Sequence, residues 1–296
     1  MTAQGGTAGP PTSHMAILAR SKSLDGPWEN SPYNPLIHTT KNSEKWWAKG
    51  HGSLIDTPDG EWWIVYHAYE NGYLGRGRQT LLEPLKMTED GWLVAPLGDE
   101  IEKPIPKPVA SKKTINRLAN INEFRIGLDW KFFEEYLPGR ATFKNGVLTL
   151  KAKGDSPRES APLLFVSKSN NYEISAKIEI DSATVGGLTL FYNKDFYVGT
   201  GFDISKRIRW RKGDIRGTWG HPEGTREVWL KIKNVDAIVT GYYSYDSINW
   251  KKERWGIDLS GYHHNTLYGF ISILPGLFAY GDGEVRFSNF KYREIH

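Results

Sequence analysis

The chain has 296 residues, of which 39% are hydrophobic and 13% are aromatic, and its formal net charge at pH 7 is +4. No apolar run approaches the roughly 18 residues of a membrane-spanning helix, and the 38 basic residues are interleaved with 34 acidic ones, so neither membrane insertion nor nucleic-acid binding is indicated. The chain has no cysteine, which excludes disulfides, thiolate metal sites and a thiol nucleophile and leaves the cellular compartment open.

The first residues resemble an internal loop rather than a leader sequence. Residues 1–11 have neither a basic start nor an apolar core, so they do not form a signal peptide. We therefore expect the chain to begin inside a larger fold. Its length is sufficient for two domains, each with its own core.

Three Asp-Gly pairs, each followed closely by a tryptophan, divide the first hundred residues. They are spaced 34 and 31 residues apart, at Asp25-Gly26, Asp59-Gly60 and Asp90-Gly91. Asp-Gly between apolar segments is typical of a hairpin turn, and its regular recurrence predicts the blades of a β-propeller. We predict one four-stranded blade from Gly50 to Val94 and most of another blade before it.

A histidine between two glycines opens the first strand of that blade. His51 precedes an apolar segment, and the motif Gly77-Arg78-Gln79-Thr80 opens a later strand. We predict that His51 and Arg78 project from neighbouring strands toward one place. Two tryptophans before the histidine, Trp46 and Trp47, form either a wall for stacking on sugar rings or packing between blades. The pair at positions 62 and 63 is predicted to lie in the core.

A proline-rich segment divides the chain in two. Residues 100–108 contain three prolines among charged residues, which excludes a central strand and favours an extended linker. The predicted domains are residues 1–108 and 109–296. The second contains many short alternating strands and no long helical period, which predicts a β-sandwich, so that the whole chain is all-β.

The densest basic stretch lies in the second domain. Arg207, Arg209 and Arg211 recur at every second residue and therefore share one face of a strand. The simpler interpretation is a solvated strand face, and the alternative is a contact with an anionic sugar.

Several motifs, taken in order, resemble glycoside hydrolase family 43. In the first domain they are the segments 19–29 and 33–36, Gly50-His51-Gly52, Asp59–Trp63 and Gly77–Thr80. In the second domain they are the segments 130–132, 190–193 and 283–287, which look like the concanavalin-A-like sandwich appended to family-43 β-xylosidases and α-L-arabinofuranosidases. The resemblance covers nearly the whole chain.

The resemblance implies a five-bladed propeller, here about two blades of it, whose central pocket hydrolyses glycosidic bonds with inversion. Inversion requires one carboxyl group that activates water and another that protonates the leaving oxygen. In the family these groups belong to earlier blades, so we expect them upstream of Met1 and assign no catalytic residue in this chain.

Gln4 lies where relatives carry a second glutamate, and an amide does not exchange a proton near neutral pH. Asp56, Glu70 and Glu83 are interpreted as surface or strand-end carboxylates.

Pocket residues carry over from the family by their motifs. His51 matches a central histidine at the pocket floor that often contacts a calcium ion through water; the alternative is a structural histidine. Arg78 matches a pocket arginine whose guanidinium donates to sugar hydroxyls; the alternative is a surface salt bridge. Trp47 is the third predicted substrate contact, and His14 is similar to a histidine that relatives place near the pocket. Ca²⁺ is the one cofactor that the resemblance implies.

The sequence-based hypothesis is a glycoside hydrolase acting on β-xylosides or α-L-arabinofuranosides of xylan-type polysaccharides, without its catalytic acid and base. Its expected partner is a pentose-containing oligo- or polysaccharide. The alternative is a non-catalytic module that binds carbohydrate or braces the propeller. Two blades leave strand edges uncovered, so we also expect a homo-oligomer or an N-terminal propeller segment that covers them. For the parent enzyme the resemblance favours an extracellular or periplasmic location.

Overall fold

The structure, a computed structural model, describes residues 2–6, 11–98, 104–106, 108, 124–127 and 129–296. Strands dominate these residues, which confirms the prediction of an all-β chain. No helix within the described ranges is long and apolar enough to cross a membrane. Most of the predicted linker lies outside the described residues, so the domain boundary at residue 108 stays a prediction.

The chain divides into two compact units. The first consists of Met1–Lys113 together with His263–Ile271, and the second consists of Thr114–Tyr262 with Ser272–His296. No pattern in the sequence indicated that residues 263–271 would join the first unit.

Two four-stranded antiparallel sheets build the described part of the first unit. Their strands are β1 (Thr2–Gly5), β2 (Met15–Arg20), β3 (Glu29–Asn30), β4 (Ile37–His38), β5 (Trp46–Asp56), β6 (Trp62–Glu70), β7 (Gln79–Met87) and β8 (Leu93–Val94). In one sheet β2 pairs with β1, β3 and β4, and in the other the order is β5-β6-β7-β8. The second sheet confirms the predicted four-stranded blade and begins it at Trp46 rather than at Gly50.

Two of the predicted Asp-Gly turns close hairpins of this sheet. The N–H of Gly60 donates to the carbonyl of Thr57 at 2.9 Å between β5 and β6, and the N–H of Gly91 donates to the carbonyl of Thr88 at 3.0 Å between β7 and β8. Their φ angles are 83° and 79°, a conformation that glycine adopts without steric cost. The third turn, at Gly26, lies in the loop between β2 and β3.

The apolar faces of the two sheets form one core in the first unit. Trp62 packs against this core and Trp63 is buried, which confirms that the pair belongs to the core. A short 3₁₀ helix, Leu74–Arg76, precedes β7, and the α-helix α1 (His264–Leu267) lies within the late segment of this unit. The buried core residues are Ala16, Leu18, Leu36, Ile37, Ile64, Tyr66, Leu85, Trp92 and Leu93.

Two larger antiparallel sheets build the second unit, which confirms the predicted β-sandwich. The strands are β9 (Trp130–Phe132), β10 (Ala141–Lys144), β11 (Val147–Lys151), β12 (Leu163–Phe165), β13 (Tyr172–Ile180), β14 (Thr184–Phe191), β15 (Tyr197–Phe202), β16 (Lys206–Arg211), β17 (Asp214–Gly220), β18 (Glu227–Val235), β19 (Ile238–Ser244), β20 (Lys251–Lys252), β21 (Ile257–Asp258), β22 (Leu274–Gly281) and β23 (Glu284–Glu294). One sheet has the order β10-β11-β23-β13-β18-β19-β20, with β21 also paired to β19, and the other has the order β17-β16-β15-β14-β22-β12-β9. A 3₁₀ helix, Pro138–Arg140, precedes β10.

The basic stretch of the second domain forms β16. Arg207 is 6% exposed, and its guanidinium lies 3.3 Å from the ring centre of Tyr243. The interpretation of this stretch as a solvated strand face is therefore wrong at Arg207. The aromatic ring of Tyr243, on the opposite sheet of the sandwich, covers its charge.

Candidate functional site

The strand that carries His51 departs from regular pairing on both sides of this residue. Strands β5 and β6 are in register at both ends, but the register shifts between Trp47 and Gly50 and again between Gly50 and Ser53. His51 has a φ of 56°, a left-handed conformation that is uncommon for residues with a Cβ atom. Bulges of this kind turn a side chain out of its normal alternation. They leave the His51 side chain exposed next to the buried Gly50.

Both glycines that flank His51 allow close packing. A Cβ atom on Gly50 would lie 2.3 Å from Cδ2 of the His14 imidazole, and one on Gly52 would lie 2.5 Å from Cδ1 of Ile64. Both distances are shorter than real Cβ contacts. The Gly-His-Gly motif therefore lets a second imidazole ring lie directly against β5.

Three histidines from three segments of the first unit converge. The rings of His14 and His67 are stacked with centres 5.2 Å apart, and the rings of His51 and His67 are tilted with centres 5.5 Å apart. One ring nitrogen of each residue lies within 4.8 Å of the others. We call His14, His51 and His67 the histidine cluster.

His14 is held in one tautomer. It is 2% exposed, and its Nδ1 lies 2.9 Å from the carbonyl oxygen of Gly6, which can only accept. Nδ1 therefore carries the proton, and Nε2 keeps a lone pair that is buried and has no hydrogen-bond partner among the described residues. Burial, helped by the nearby charge of Arg78, lowers the pKa of His14 and keeps the ring neutral.

Arg78 fixes the protonation of His67. Nη1 of Arg78 lies 3.1 Å from Nε2 of His67, and because a guanidinium only donates, this nitrogen must accept. Burial and the charge of Arg78 lower the pKa of His67 to about 4. Nε of Arg78 also donates to the hydroxyl of Tyr69 at 3.2 Å. The arginine is thus oriented by two side chains of β6.

Residues from the late segment of the first unit complete this arrangement. The ring of Phe270 lies 4.2 Å from the guanidinium carbon of Arg78 and is stacked on His264 at 4.8 Å. His264 in turn is stacked on Tyr69 at 4.6 Å and contacts its hydroxyl through Nδ1. Burial, followed by the charge of Arg78, lowers the pKa of His264 to about 4. Arg78 therefore lies against aromatic rings that come from two distant parts of the sequence.

The structure brings the two motif residues together through a residue that sequence reasoning missed. His51 and Arg78 both contact His67, and His67 pairs with Gly50 across the hairpin. His67 was missed because nothing in its local sequence marks it as part of the site. Trp47 is half-buried, and its indole N–H donates to the carbonyl of Asn42 at 3.0 Å. The sugar-binding roles of His51, Arg78 and Trp47 stay predictions.

The carboxylates considered from the sequence lie outside the histidine cluster. Glu70 forms an ion pair with Arg76 at 2.8 Å. Glu83 is 2% exposed, lies within β7 and accepts a hydrogen bond from the hydroxyl of Tyr66 at 3.2 Å, so its interpretation as a surface or strand-end carboxylate is wrong. Asp56 is exposed at the end of β5. Across the described ranges, the one group of three or more metal-ligating side chains is the histidine cluster itself.

The donor atoms of this cluster do not fit direct calcium binding. Calcium takes about six to eight oxygen ligands, whereas the cluster offers imidazole nitrogens, and one of them, Nε2 of His67, already accepts from the Arg78 cation. Imidazole nitrogens suit zinc, copper and nickel. The hydrogen bond from Nδ1 of His14 to a backbone carbonyl is also the usual orientation of a metal-ligating histidine. A calcium contact of His51 through water stays a prediction.

The donor set predicts a metal preference. In chelator-treated protein we expect Ni²⁺ or Zn²⁺ to bind at least about tenfold more tightly than Ca²⁺, because nitrogen ligands favour these ions. Isothermal titration calorimetry measures the affinities. The variant His51→Ala should weaken Ni²⁺ binding, and His296→Ala, which removes an exposed histidine at the chain end, should not. Equal affinity for Ca²⁺, or equal loss in both variants, would contradict this assignment.

Two family models match the chain. Residues 1–93 match the model for glycosyl hydrolases family 43. Residues 122–293, more than half of the chain, match the model for the beta xylosidase C-terminal concanavalin A-like domain.

Individual relatives agree with these models. A Bacteroides ovatus protein named non-reducing end alpha-L-arabinofuranosidase BoGH43B is 29% identical over 315 residues, with 96% of this chain and 57% of the relative covered. A Butyrivibrio fibrisolvens xylosidase/arabinosidase is 26% identical, with coverages of 94% and 58%. The chain thus spans less than two thirds of the length of these relatives.

A solved structure of a GH43 protein is also similar to this chain. The crystal structure of a mutant of the GH43 protein BlXynB from Bacillus licheniformis is similar to this chain with a TM-score of 0.84 and 25% sequence identity, covering 99% of this chain and 63% of that protein. Together with the ordered motifs, these matches show that the chain belongs to glycosyl hydrolase family 43 and carries the β-xylosidase C-terminal concanavalin A-like domain.

Proposed function

We propose that this chain supplies the floor of the sugar pocket and the sandwich domain of a glycoside hydrolase that releases xylosyl or arabinofuranosyl residues by inverting hydrolysis. The observation that carries the proposal is the convergence of His51 and Arg78 on His67. The names of the relatives, which include an arabinofuranosidase and a xylosidase/arabinosidase, support a pentose as the sugar.

Arg78 is suited to orient a sugar rather than to transfer a proton. Its Nη1 and Nε donate to His67 and Tyr69, and its Nη2 donates to no described residue. We assign this remaining nitrogen to a sugar hydroxyl. A guanidinium stays protonated at neutral pH and donates in a fixed direction, so it can fix the ring orientation. We assign the exposed imidazole of His51 to a second hydroxyl.

Proton transfer is assigned to carboxyl groups outside this cluster. Inverting hydrolysis uses two carboxyls roughly 6.5–9.5 Å apart, and the described cluster contains imidazole and guanidinium groups instead. We therefore give no hydrolytic step to residues of this chain. Their role is binding and orientation of the sugar that is cleaved.

One separate observation favours a role of this chain in bracing the propeller. His264 of the late segment stacks on Tyr69, and Phe270 lies against the Arg78 guanidinium, so this segment restrains the guanidinium in addition to β6. Bracing and sugar orientation are compatible, because a guanidinium held by aromatic rings loses less freedom when a sugar binds.

Ligand-detected NMR with D-xylose and L-arabinose tests the sugar-binding role. We expect Arg78→Gln to weaken binding by about tenfold, because a charged hydrogen bond to the sugar is lost. The matched control is Arg76→Gln, which removes a nearby arginine that pairs with Glu70 instead and should leave the affinity unchanged. Equal affinities in all three proteins would contradict the proposal.

An activity assay tests the assignment of the proton-transferring groups. We expect the chain alone to show no turnover of aryl β-xylosides or aryl α-L-arabinofuranosides, because its pocket residues lack a carboxyl pair. Turnover that persists after further purification, and that disappears in a variant of one of its own carboxylates, would overturn this assignment while leaving the sugar-binding role intact.

A further inference from the structure

A groove with a cationic lining lies beside the hairpin of β16 and β17 in the second unit. Its volume is about 390 Å³, at the small end of the range for ligand pockets. The lining contains four positively charged side chains and no carboxylate. The lining residues are Arg209, Arg211, Lys212, Arg216, Gly256 and Ile257.

The hairpin turn fixes two of these cations. Lys212 and Gly213 lie between the paired residues Arg211 and Asp214 and have φ angles of 52° and 75°. Positive φ at both positions is the type I′ geometry of a tight two-residue hairpin. Arg211 and Lys212 are exposed, and neither forms an ion pair with a carboxylate in the part of the chain that the structure describes. Asp258, which follows the lining residue Ile257, interacts electrostatically with Arg211 but forms no ion pair with it, so both charges are available to a ligand.

Arg209 is held by the backbone and keeps one unused donor. Its Nη2 donates to the carbonyl oxygen of Arg216 at 2.5 Å, while its Nε is buried and has no hydrogen-bond partner among the described residues. Its guanidinium lies 5.6 Å from the ring centre of Trp219. The hydrogen bond from Nη2 therefore fixes the position of this guanidinium in the lining of the groove.

Nearby acidic residues compensate these charges weakly. Asp214 pairs with Arg216 at 2.8 Å, but both side chains are more than half exposed, where ion pairs contribute little. Glu253 is 6% exposed and accepts hydrogen bonds from Thr200 and Trp255. Neither acid lines the groove.

We propose that this groove binds a sugar that carries a carboxylate, that is, a uronic acid residue of an acidic polysaccharide. A planar carboxylate matches the paired donors of a guanidinium, and such donors belong to three of the lining residues, Arg209, Arg211 and Arg216. A neutral pentose would bring no counter-charge to Arg211 and Lys212, which form no ion pair with a described carboxylate, whereas Arg216 already pairs with Asp214. The groove belongs to the second unit and the histidine cluster to the first, so this inference does not depend on the function proposed above.

Calorimetric titration of the full chain with sodium D-glucuronate, D-xylose and sodium sulfate tests the proposal. We expect glucuronate to bind with millimolar affinity and to weaken with rising salt, because the contact is ionic. The double variant Arg211→Gln/Lys212→Gln should lose about tenfold in affinity. The control Lys251→Gln/Lys252→Gln changes the net charge equally on the exposed strand β20 and should keep wild-type affinity.

The outcomes separate the alternatives. Glucuronate binding that is lost in the groove variant and kept in the control supports a uronate site. Sulfate binding as tight as glucuronate, or equal losses in both double variants, overturns it in favour of non-specific attraction of anions. Absence of glucuronate binding in the wild type overturns it as well. The variant Arg78→Gln, which tests the pocket of the first unit, should leave glucuronate binding unchanged.

Discussion

Replacing Arg140 by methionine is expected to destabilise the second unit by about 3–5 kcal/mol. Arg140 is 9% exposed. Its guanidinium donates to the carbonyl oxygens of Lys151 at 2.7 Å, of Ala161 and Ala279 at 3.1 Å each, and of Ser160. Methionine fills similar space but removes the guanidinium donor from each of these acceptors, although the carbonyl of Ala279 keeps the N–H of Lys153. Each buried acceptor that is left without a donor costs about 1–3 kcal/mol. Relief of the buried charge offsets part of the total.

The charge on Arg140 persists at neutral pH. Burial lowers the pKa of Arg140 to about 10, which still leaves the guanidinium protonated. Urea unfolding followed by tryptophan fluorescence measures the effect. Arg140→Lys should show an intermediate loss, because one ammonium cannot reach all the carbonyls. The exposed Arg293→Met, which breaks the ion pair with Glu173, should cost less than about 1 kcal/mol. Similar midpoints for the Arg140 and Arg293 variants would refute this account.

Lowering the pH from 7 to 5 is expected to destabilise the first unit by about 2 kcal/mol for each of His67 and His264. The pKa of each is lowered to about 4 in the folded protein, against an unfolded value near 6.5. A histidine with a depressed pKa is neutral in the folded protein. Its contribution to the free energy of unfolding is therefore fully present above pH 6.5, where the unfolded chain is also neutral at this residue. It is lost as the pH falls toward 4, because the unfolded chain then binds more protons.

The measurement is urea unfolding of chelator-treated protein at pH 7, 6 and 5. This window lies above the titration of most carboxylates, so histidines dominate the slope. The double variant His67→Gln/His264→Gln should flatten the pH dependence, whereas His296→Gln at the exposed chain end should retain it. A wild-type stability that is constant from pH 7 to 5 would show that these imidazoles are not held neutral by burial.

Local patterns predicted the fold well where neighbouring residues determine it. The Asp-Gly turns at 59–60 and 90–91 fix hairpins within a few residues, and the four-stranded sheet follows from them. The joining of residues 263–271 to the first unit could not be predicted in this way. It depends on stacking of His264 on Tyr69, two residues 195 positions apart, and no local propensity encodes such a contact.

Only part of the candidate site could be predicted from the sequence, because local motifs do not encode contacts between distant residues. The motifs identified His51 and Arg78, but the two register shifts around Gly50 that place His51 beside His67 leave no local mark in the composition. In the second unit, alternation placed Arg207 and Arg209 on one face correctly. It could not show that Tyr243 covers Arg207 while Arg209 lines a groove, because burial depends on the opposite sheet.

The backbone bulge at position 51 allows the side chain there to change without loss of the pairing between β5 and β6. Since the regular ladder of β5 and β6 resumes on either side, the side chain at this position can be exchanged without breaking an interstrand hydrogen bond of that ladder. The positive φ restricts the substitutes that fit without strain to glycine, asparagine and aspartate. Exchange of His51 for one of these three residues would therefore remove the sugar contact proposed for the imidazole while the pairing of β5 and β6 stays intact.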